Sequence, residues 1–243
     1  MKAEFSVFDL TTLSLSAGAL SVTSGAAYYA TCAVRSQWLG EAVWHGREDT
    51  SSVALTFDDG PSDDTVAILD MLCEQNLRAT FFMVGRQVER YPEVVRRVIG
   101  EGHEVGNHSY SHPVYLYRSP RETRRQLKRA QDVINETAGV EPKLSRPPCG
   151  VRTPAYFSAA REMRLRTVQW SVAGFDWRRI GAAEIARNVL KKVRAGSIIL
   201  LHDGDSRLKS DRRQTILSLP LIIEGLKARG LKVAPLSELL YTV

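Results

Sequence analysis

The chain has 243 residues, of which 44% are hydrophobic and 25% are charged, as expected for one larger soluble domain with a sizeable core. The net charge of +6 supports only weak attraction to an anionic surface, and no interleaved basic and aromatic residues suggest nucleic-acid binding. Three cysteines, Cys32, Cys73 and Cys149, form no CxxC pair, which argues against a thiolate zinc site, and their odd number argues against a disulfide framework.

Near the N-terminus, residues 10–34 contain no charged residue and form a segment long enough to cross a bilayer. The segment is rich in Ser, Thr, Gly and Ala, and the Lys2, Glu4 and Asp9 before it make a poor positive region for a signal peptide. Two alternatives therefore stay open: a membrane anchor or uncleaved signal, and a surface helix or disordered tail. Because the chain then continues as a connector, we predict an N-terminal part over residues 1–49 and one folded domain over residues 50–243.

From residue 53 onward, apolar runs typical of strands alternate with helical patterns about seven times. The predicted strands are 53–57, 79–84, 103–106, 144–146, 166–171, 197–201 and 231–234. The predicted helices are 64–75, 92–100, 120–137, 154–162, 182–193 and 216–229, with a short one from 237. This alternation calls for parallel strands with helices outside, in a distorted or incomplete barrel or in an open sheet.

Two carboxylates, Asp58 and Asp59, directly follow the first strand and precede Gly60 and Pro61, a strong strand breaker. This order places both acids at the carboxyl end of a strand, where barrels and open α/β sheets carry their chemistry. Adjacent carboxylates repel each other, and a cation, a base or an arginine nearby would relieve that repulsion.

Two histidines, His108 and His112, follow the third strand. On a helical turn, residues four apart face the same way, so both imidazoles could reach one metal ion. With a carboxylate from Asp58 or Asp59 they would form a site that keeps positions open for water and substrate. The pair alone is a weak signal, and two histidines without a common ligand are the alternative.

Three further strand ends carry polar residues. Arg146 opens a turn stiffened by two prolines and can neutralise a carboxylate, or it can belong to an ordinary surface turn. Asp176 and Trp177 follow the fifth strand, where a tryptophan can wall a small group or simply pack. His202 ends an apolar strand and is either a capped core residue or, with an acid orienting its ring, a general acid.

The segments TFDDG, HSYSH, RPPCG, DW and IILLHD, in this order, resemble the motifs of the NodB-homology polysaccharide deacetylases, carbohydrate esterase family 4. The resemblance covers roughly residues 52–234. It implies a distorted (β/α)7-type barrel as a single catalytic domain, and metal-dependent removal of N-acetyl groups from an N-acetylated glycan such as peptidoglycan or a chitin-like oligosaccharide. It also favours the cell envelope as the location, which a membrane anchor in residues 10–34 would fit. The sequence carries no signal of oligomeric state.

For the base and the metal, the resemblance implies roles residue by residue. Asp58 would be the general base, and Arg146 would pair with it and keep it ionised. One divalent ion, usually zinc, with cobalt or another divalent ion as alternatives, would be held by Asp59, His108 and His112.

For the acid and the acetyl pocket, the resemblance implies that His202 is the general acid, oriented and charged by Asp176. Trp177 and Leu200 would wall the acetyl methyl group, and the main-chain N–H of Cys149 would hold the oxyanion. Cys149 departs from the family, which usually has an aromatic residue there, so the sugar groove could be wider.

Two rival functions stay open at this stage. The first keeps the fold and the hydrolytic chemistry but changes the bond: an O-acetyl esterase, or an amidohydrolase acting on a small cyclic amide or imide. The second is a non-catalytic glycan-binding domain, which would be expected to have lost at least one of Asp58, His108, His112 or His202. Since all four are present, the enzymatic reading is preferred.

Overall fold

A computed structural model describes residues 23–205 and 211–240. Within them, eight strands form one sheet in which every strand pair is parallel. The strands are β1 (Ser52–Asp58), β2 (Thr80–Met83), β3 (Glu104–Asn107), β4 (Leu144–Ser145), β5 (Arg166–Thr167), β6 (Val172–Ala173), β7 (Ile198–His202) and β8 (Lys232–Val233). Their order is β5-β4-β3-β2-β1-β7-β6, and β8 pairs with the start of β1.

Helices connect these strands. Residues 23–32 form α1, and the others are α2 (Asp63–Glu74), α3 (Gly85–Arg90), α4 (Pro92–Gly100), α5 (Pro120–Ala138), α6 (Pro154–Glu162), α7 (Ala182–Leu190), α8 (Arg213–Lys227) and α9 (Leu236–Leu240). The predicted start of α5 is confirmed, because the Ser119 side chain accepts a hydrogen bond from the Glu122 N–H and Pro120 occupies the first turn. The helix ends at Gly139, whose φ of 67° is the left-handed conformation that glycine adopts at low cost.

The sheet must curl, because β5 and β6 lie at opposite ends of the strand order although only residues 168–171 separate them. A chain of that length spans at most about 17 Å, so the two edges of the sheet come close together. The single strand predicted over residues 166–171 is therefore wrong, since the chain leaves one edge after Thr167 and joins the other at Val172. The distorted barrel of parallel strands is confirmed, as a curled sheet that stays open between these two edges.

Strand register brings the predicted motifs together. β1 and β7 pair so that Asp58 lies opposite His202. Asn107 of β3 pairs with Ser145 of β4, so the next residues, His108 and Arg146, leave their strands side by side. Because the strands are parallel, all of these ends lie at one edge of the sheet.

The N-terminal prediction is only partly covered, because residues 1–22 lie outside the described part of the chain. α1 is largely exposed, and the domain holds its end through the Arg152 main-chain N–H, which donates to the Thr31 carbonyl at 3.0 Å. None of the described helices is long and apolar enough to cross a bilayer. Single bridges join Val43 of the predicted connector to Val168, just after β5, and His45 to Ser197, just before β7. The division after residue 49 stays a prediction.

Candidate active site

A cavity of about 510 Å³ lies at the carboxyl ends of the strands. Eight of the ten residues predicted from the sequence line it: Asp58, Asp59, His108, His112, Cys149, Trp177, Leu200 and His202. The other two, Arg146 and Asp176, are buried behind the cavity wall. Arg146 is hydrogen-bonded to Asp58, and Asp176 is hydrogen-bonded to His202. The structure therefore brings the predicted residues to one place.

Asp58 is held by a completely buried arginine. The Nη1 of Arg146 donates to Asp58 Oδ1 at 2.7 Å and to Thr56 Oγ1 at 2.8 Å, and its Nη2 donates to the Gln169 carbonyl at 2.9 Å. The guanidinium also lies 4.1 Å from the ring centroid of Phe82, an attractive cation–π distance. A buried charge costs several kcal/mol when it has no partner, so Asp58 and Arg146 depend on each other.

His108 and His112 meet by a different route from the predicted helical turn. The residues between them form a loop, in which Ser109 and His112 adopt left-handed φ angles of 68° and 55°. Two hydrogen bonds fix the loop: Ser109 N–H donates to Asn107 Oδ1 at 2.9 Å, and His112 N–H donates to Ser109 Oγ at 3.0 Å. The imidazole centroids are consequently 5.0 Å apart. Left-handed backbone at non-glycine residues is costly and concentrates at functional sites.

Asp59, His108 and His112 offer ligand atoms that all lie within 4.8 Å of one another. Asp59 Oδ1 lies 3.1 Å from His112 Nε2 and 3.5 Å from His108 Nε2. Although this oxygen is buried, it has no hydrogen-bond partner within residues 23–205 and 211–240. Because the Arg146 carbonyl can only accept, His108 Nδ1 carries the proton of their 2.7 Å hydrogen bond, which leaves Nε2 of the neutral ring with its lone pair. A buried carboxylate oxygen without a donor, facing two imidazole nitrogens, fits a divalent cation.

Protonation states support the same assignment. Burial lowers the pKa of His112 to about 4, so this ring is neutral at pH 7. Burial raises the pKa of Asp59, but the neighbouring imidazoles outweigh it and hold that pKa well below its ordinary value. Burial likewise lowers the pKa of His108, and Asp58 and Asp59 outweigh it and raise that pKa. Since ligands bind metals in their deprotonated form, a cation at this place would substitute for the proton that His108 otherwise attracts.

His202 faces the same cavity from β7 and is oriented by Asp176. Its Nδ1 lies 2.9 Å from Asp176 Oδ1, and its main-chain N–H donates to Asp176 Oδ2 at 2.8 Å. Thr215 Oγ1 donates to the same Oδ2 at 2.9 Å. Burial lowers the pKa of His202, but the charge and hydrogen bond of Asp176 outweigh it and raise that pKa to about 9. The imidazole is therefore protonated at neutral pH.

Aromatic and apolar side chains wall the cavity around these polar groups. The Trp177 ring stands edge-on to His202 at 5.4 Å between centroids and remains 41% exposed, whereas Leu200 is buried. Cys149 has a left-handed φ of 55° and an exposed side chain, so the position lies at the rim. All three cysteines fall within the described residues, and none of them forms a disulfide.

Several residues at this site had no role predicted from the sequence, among them Trp170, Asp203 and Arg212. Trp170 and Arg212 also line the cavity. Asp203 is buried, and its carboxylate accepts from the Gly60 N–H at 3.1 Å and from Thr65 Oγ1 at 2.7 Å. Burial raises the pKa of Asp203 to about 7. The carboxylate thus supports the turn after Asp59; its place in the IILLHD segment was the one available signal.

Known proteins are similar to this chain in sequence and in architecture. The family model for polysaccharide deacetylase matches residues 45–168. A peptidoglycan-N-acetylglucosamine deacetylase of Bacillus cereus is 38% identical over 209 residues, which cover 83% of this chain and 93% of that protein. A chitooligosaccharide deacetylase of a Bradyrhizobium species is 38% identical over 199 residues, which cover 78% and 91%.

Solved structures agree with the sequence comparison. The crystal structure of a peptidoglycan N-acetylglucosamine deacetylase matches with a TM-score of 0.79 at 36% identity, over 83% of this chain and 94% of that one. A family 4 pseudoenzyme from Bacillus anthracis matches with a TM-score of 0.75 at 28% identity, over 83% and 69%. The resemblance seen in the sequence motifs is confirmed, and the chain belongs to the polysaccharide deacetylase family of hydrolases, carbohydrate esterase family 4.

Proposed function

We propose that this protein is a metal-dependent N-deacetylase that releases acetate from N-acetylated amino sugars of a glycan. The arrangement that carries the proposal is the cluster of Asp59, His108 and His112 at one edge of the sheet, with Asp58 and His202 paired opposite each other on adjacent strands beside it. Relatives named as peptidoglycan and chitooligosaccharide deacetylases support a substrate of this class.

The metal assignment follows from the ligand set. Two histidines and one carboxylate, with further positions open, are typical of catalytic zinc, and cobalt or another divalent ion would accept the same donors. When bound, such an ion supplies Lewis-acid polarisation of the amide carbonyl and makes water more acidic. We assign the three side chains to the ion and the following steps to the other residues.

In the first step Asp58, held in place by Arg146, takes the proton of the attacking water. The main-chain N–H of Cys149 then donates to the oxyanion that develops on the former carbonyl oxygen. An amine leaves poorly unless it is protonated, so His202, charged through Asp176, gives its proton to the departing nitrogen. Trp177 and Leu200 form the apolar wall against which the acetyl methyl group packs.

We expect Asp176→Asn to move the alkaline limb of the kcat–pH profile to lower pH by about 1–3 units, the usual effect of one close opposite charge. The acid must hold its proton, so activity is lost as the pH rises through the pKa of His202, and removing the Asp176 charge lowers that pKa. The measurement is kcat across the neutral and alkaline range. Glu184→Gln, which neutralises an exposed acid of α7, serves as the control. An unmoved limb would show that His202 is not the group that titrates.

For the location, we propose the cell envelope. A glycan polymer of the wall lies outside the membrane, and the uncharged residues 10–34 would suit export or anchoring ahead of a catalytic domain over residues 50–243. Fusing residues 1–49 to a reporter and following its membrane fraction tests this arrangement. Recovery of the reporter entirely in the cytoplasmic fraction would count against both export and anchoring.

Acetate release tests the proposed function itself. The purified protein, supplied with zinc or cobalt, is incubated with chitin oligosaccharides, peptidoglycan fragments and acetylated xylan, and free acetate is measured. We expect release from the N-acetylated glycans and little from xylan. Release from xylan alone would favour the O-acetyl esterase, and binding without release from any glycan would favour the non-catalytic domain.

A further inference from the structure

Arg212 is the arginine that lines the active-site cavity, distinct from Arg146, which holds Asp58 from behind it. Only 7% of Arg212 is exposed. Its Nε donates to the Gly204 carbonyl at 2.6 Å and its main-chain N–H donates to Asp64 Oδ2 at 2.7 Å. These two bonds fix the backbone and the stem of the side chain, so the direction of the guanidinium is set before any ligand arrives.

The two terminal nitrogens of this guanidinium have no hydrogen-bond partner among the described residues. Neither of them is a fully buried atom, so a ligand in the cavity can reach them. This contrasts with Arg146, whose terminal nitrogens are both occupied. A guanidinium presents its donors as a planar fork that matches a carboxylate. The Asp176 carboxylate interacts with the charge of Arg212 but accepts none of its hydrogen bonds among the described residues, so the two terminal nitrogens can still donate to an anion in the cavity.

The groups around Arg212 favour a ligand that carries one negative charge over a ligand that carries two. Arg212 is the N-cap of α8, whose first turn has no acidic residue, so the positive end of the helix dipole adds to its charge. Asp58, Asp59 and Asp205 line the same cavity and would repel a doubly charged phosphate more strongly than a carboxylate. A Cβ on Gly204 would lie 2.6 Å from the Asp59 carbonyl oxygen, so the fork stands beside the loop that carries the proposed metal ligand.

We infer that Arg212 forms a carboxylate-binding subsite of the active site, an inference that rests on the proposed N-deacetylase function. Two carboxylates can come this close to the reacting amide. One is a carboxylate substituent on the sugar chain, such as the lactyl group of a muramic acid that carries no peptide, and the other is the acetate that the reaction releases.

The test compares kcat/KM of the unaltered protein, Arg212→Gln and Arg213→Gln on two matched substrates. The substrates are a peptidoglycan-derived oligosaccharide with free lactyl carboxylates and the same oligosaccharide with each carboxylate converted to a primary amide. For the unaltered protein we expect kcat/KM to be about tenfold to a hundredfold higher on the carboxylate form, the range of a charge-assisted hydrogen bond. In Arg212→Gln that ratio should fall to near one, whereas Arg213→Gln, which removes an exposed neighbouring charge, should keep it.

Inhibition by added acetate distinguishes the two carboxylates that could bind Arg212, the substituent of the glycan and the released product. With a neutral chitin oligosaccharide as substrate, added acetate should inhibit Arg212→Gln about tenfold more weakly than the unaltered protein if the released product occupies the fork. A change in this inhibition alone assigns the subsite to the product, and a change in the substrate ratio alone assigns it to the glycan. If neither quantity differs between Arg212→Gln and the unaltered protein, the inference is overturned.

A binding readout keeps this result separate from the proposed function. Trp170 and Trp177 both line the cavity, so their fluorescence reports on oligosaccharide binding without any turnover. We expect the carboxylate form to bind about tenfold more tightly than the amide form in the unaltered protein and equally in Arg212→Gln. Absence of acetate release with this binding difference intact would refute the deacetylase function and leave the subsite standing; equal binding of both forms to the unaltered protein, with no acetate effect, would refute the subsite.

Discussion

Asp59→Ala is expected to abolish acetate release and to weaken binding of the divalent ion by more than about 100-fold. Loss of an outer partner of a metal ligand already costs about 10–100-fold in affinity, and Asp59 supplies the only carboxylate of the three-residue cluster. The measurement is metal content after dialysis together with acetate release. Chelation of the unaltered protein should produce the same loss, and added zinc or cobalt should reverse it.

Asp63→Ala provides the matched control, because Asp63 is an exposed carboxylate only four residues further along the chain. Its removal should leave metal content and acetate release near those of the unaltered protein. Full metal content in Asp59→Ala would mean that the ion is held elsewhere. Sustained turnover in chelated protein would contradict metal dependence altogether.

Asp58→Asn is expected to lower kcat by about 10²–10⁴-fold, the contribution typical of a general base, while the divalent ion stays bound. The amide has nearly the same shape as the carboxylate but cannot take the proton of the water. Because the substitution also leaves Arg146 buried without its anion, we expect a loss of about 3–5 kcal/mol in the free energy of unfolding. Both quantities are measured on the same preparation.

The double variant Asp58→Asn with Arg146→Met separates these two effects. Removing both charges of a buried pair restores much of the stability that removing one has cost, so the double variant should unfold at a higher denaturant concentration than Asp58→Asn. Its turnover should remain low, since neither residue can act as a base. Recovery of turnover along with stability would show that Asp58 acts through folding and not as the base.

The strand ends could be predicted because their signals are local. An apolar run followed by acids and a Gly–Pro breaker identifies Asp58 and Asp59 without any knowledge of distant residues, and the apolar run before His202 does the same. Parallel strands then bring such ends to one edge of the sheet. The family motifs supplied the metal and acid–base assignments that the residue types alone left open.

Other features escaped prediction because their causes are distant in sequence. His108 and His112 converge through a loop held by Asn107, which donates to the Leu127 carbonyl and to Gln131 of α5, and not through a helical turn. Asp203 accepts from the Gly60 N–H, 143 residues away. Neither partner can be read from the residues next to it in the chain.

The sequence by itself determined the chemistry of this protein: which carboxylates, imidazoles and guanidinium groups are present, and that they follow apolar strands in the order of one hydrolase family. Only the tertiary structure decided which of these ends share a cavity. The register of β1 on β7 places Asp58 opposite His202. The four-residue link between β5 and β6 forces the sheet to curl, so that the ends of several strands face one cavity, which Arg212 also lines. The physical reason is that the signals for strands and turns are local in sequence, whereas burial and charge pairing depend on distant segments that meet only in the folded, curled sheet.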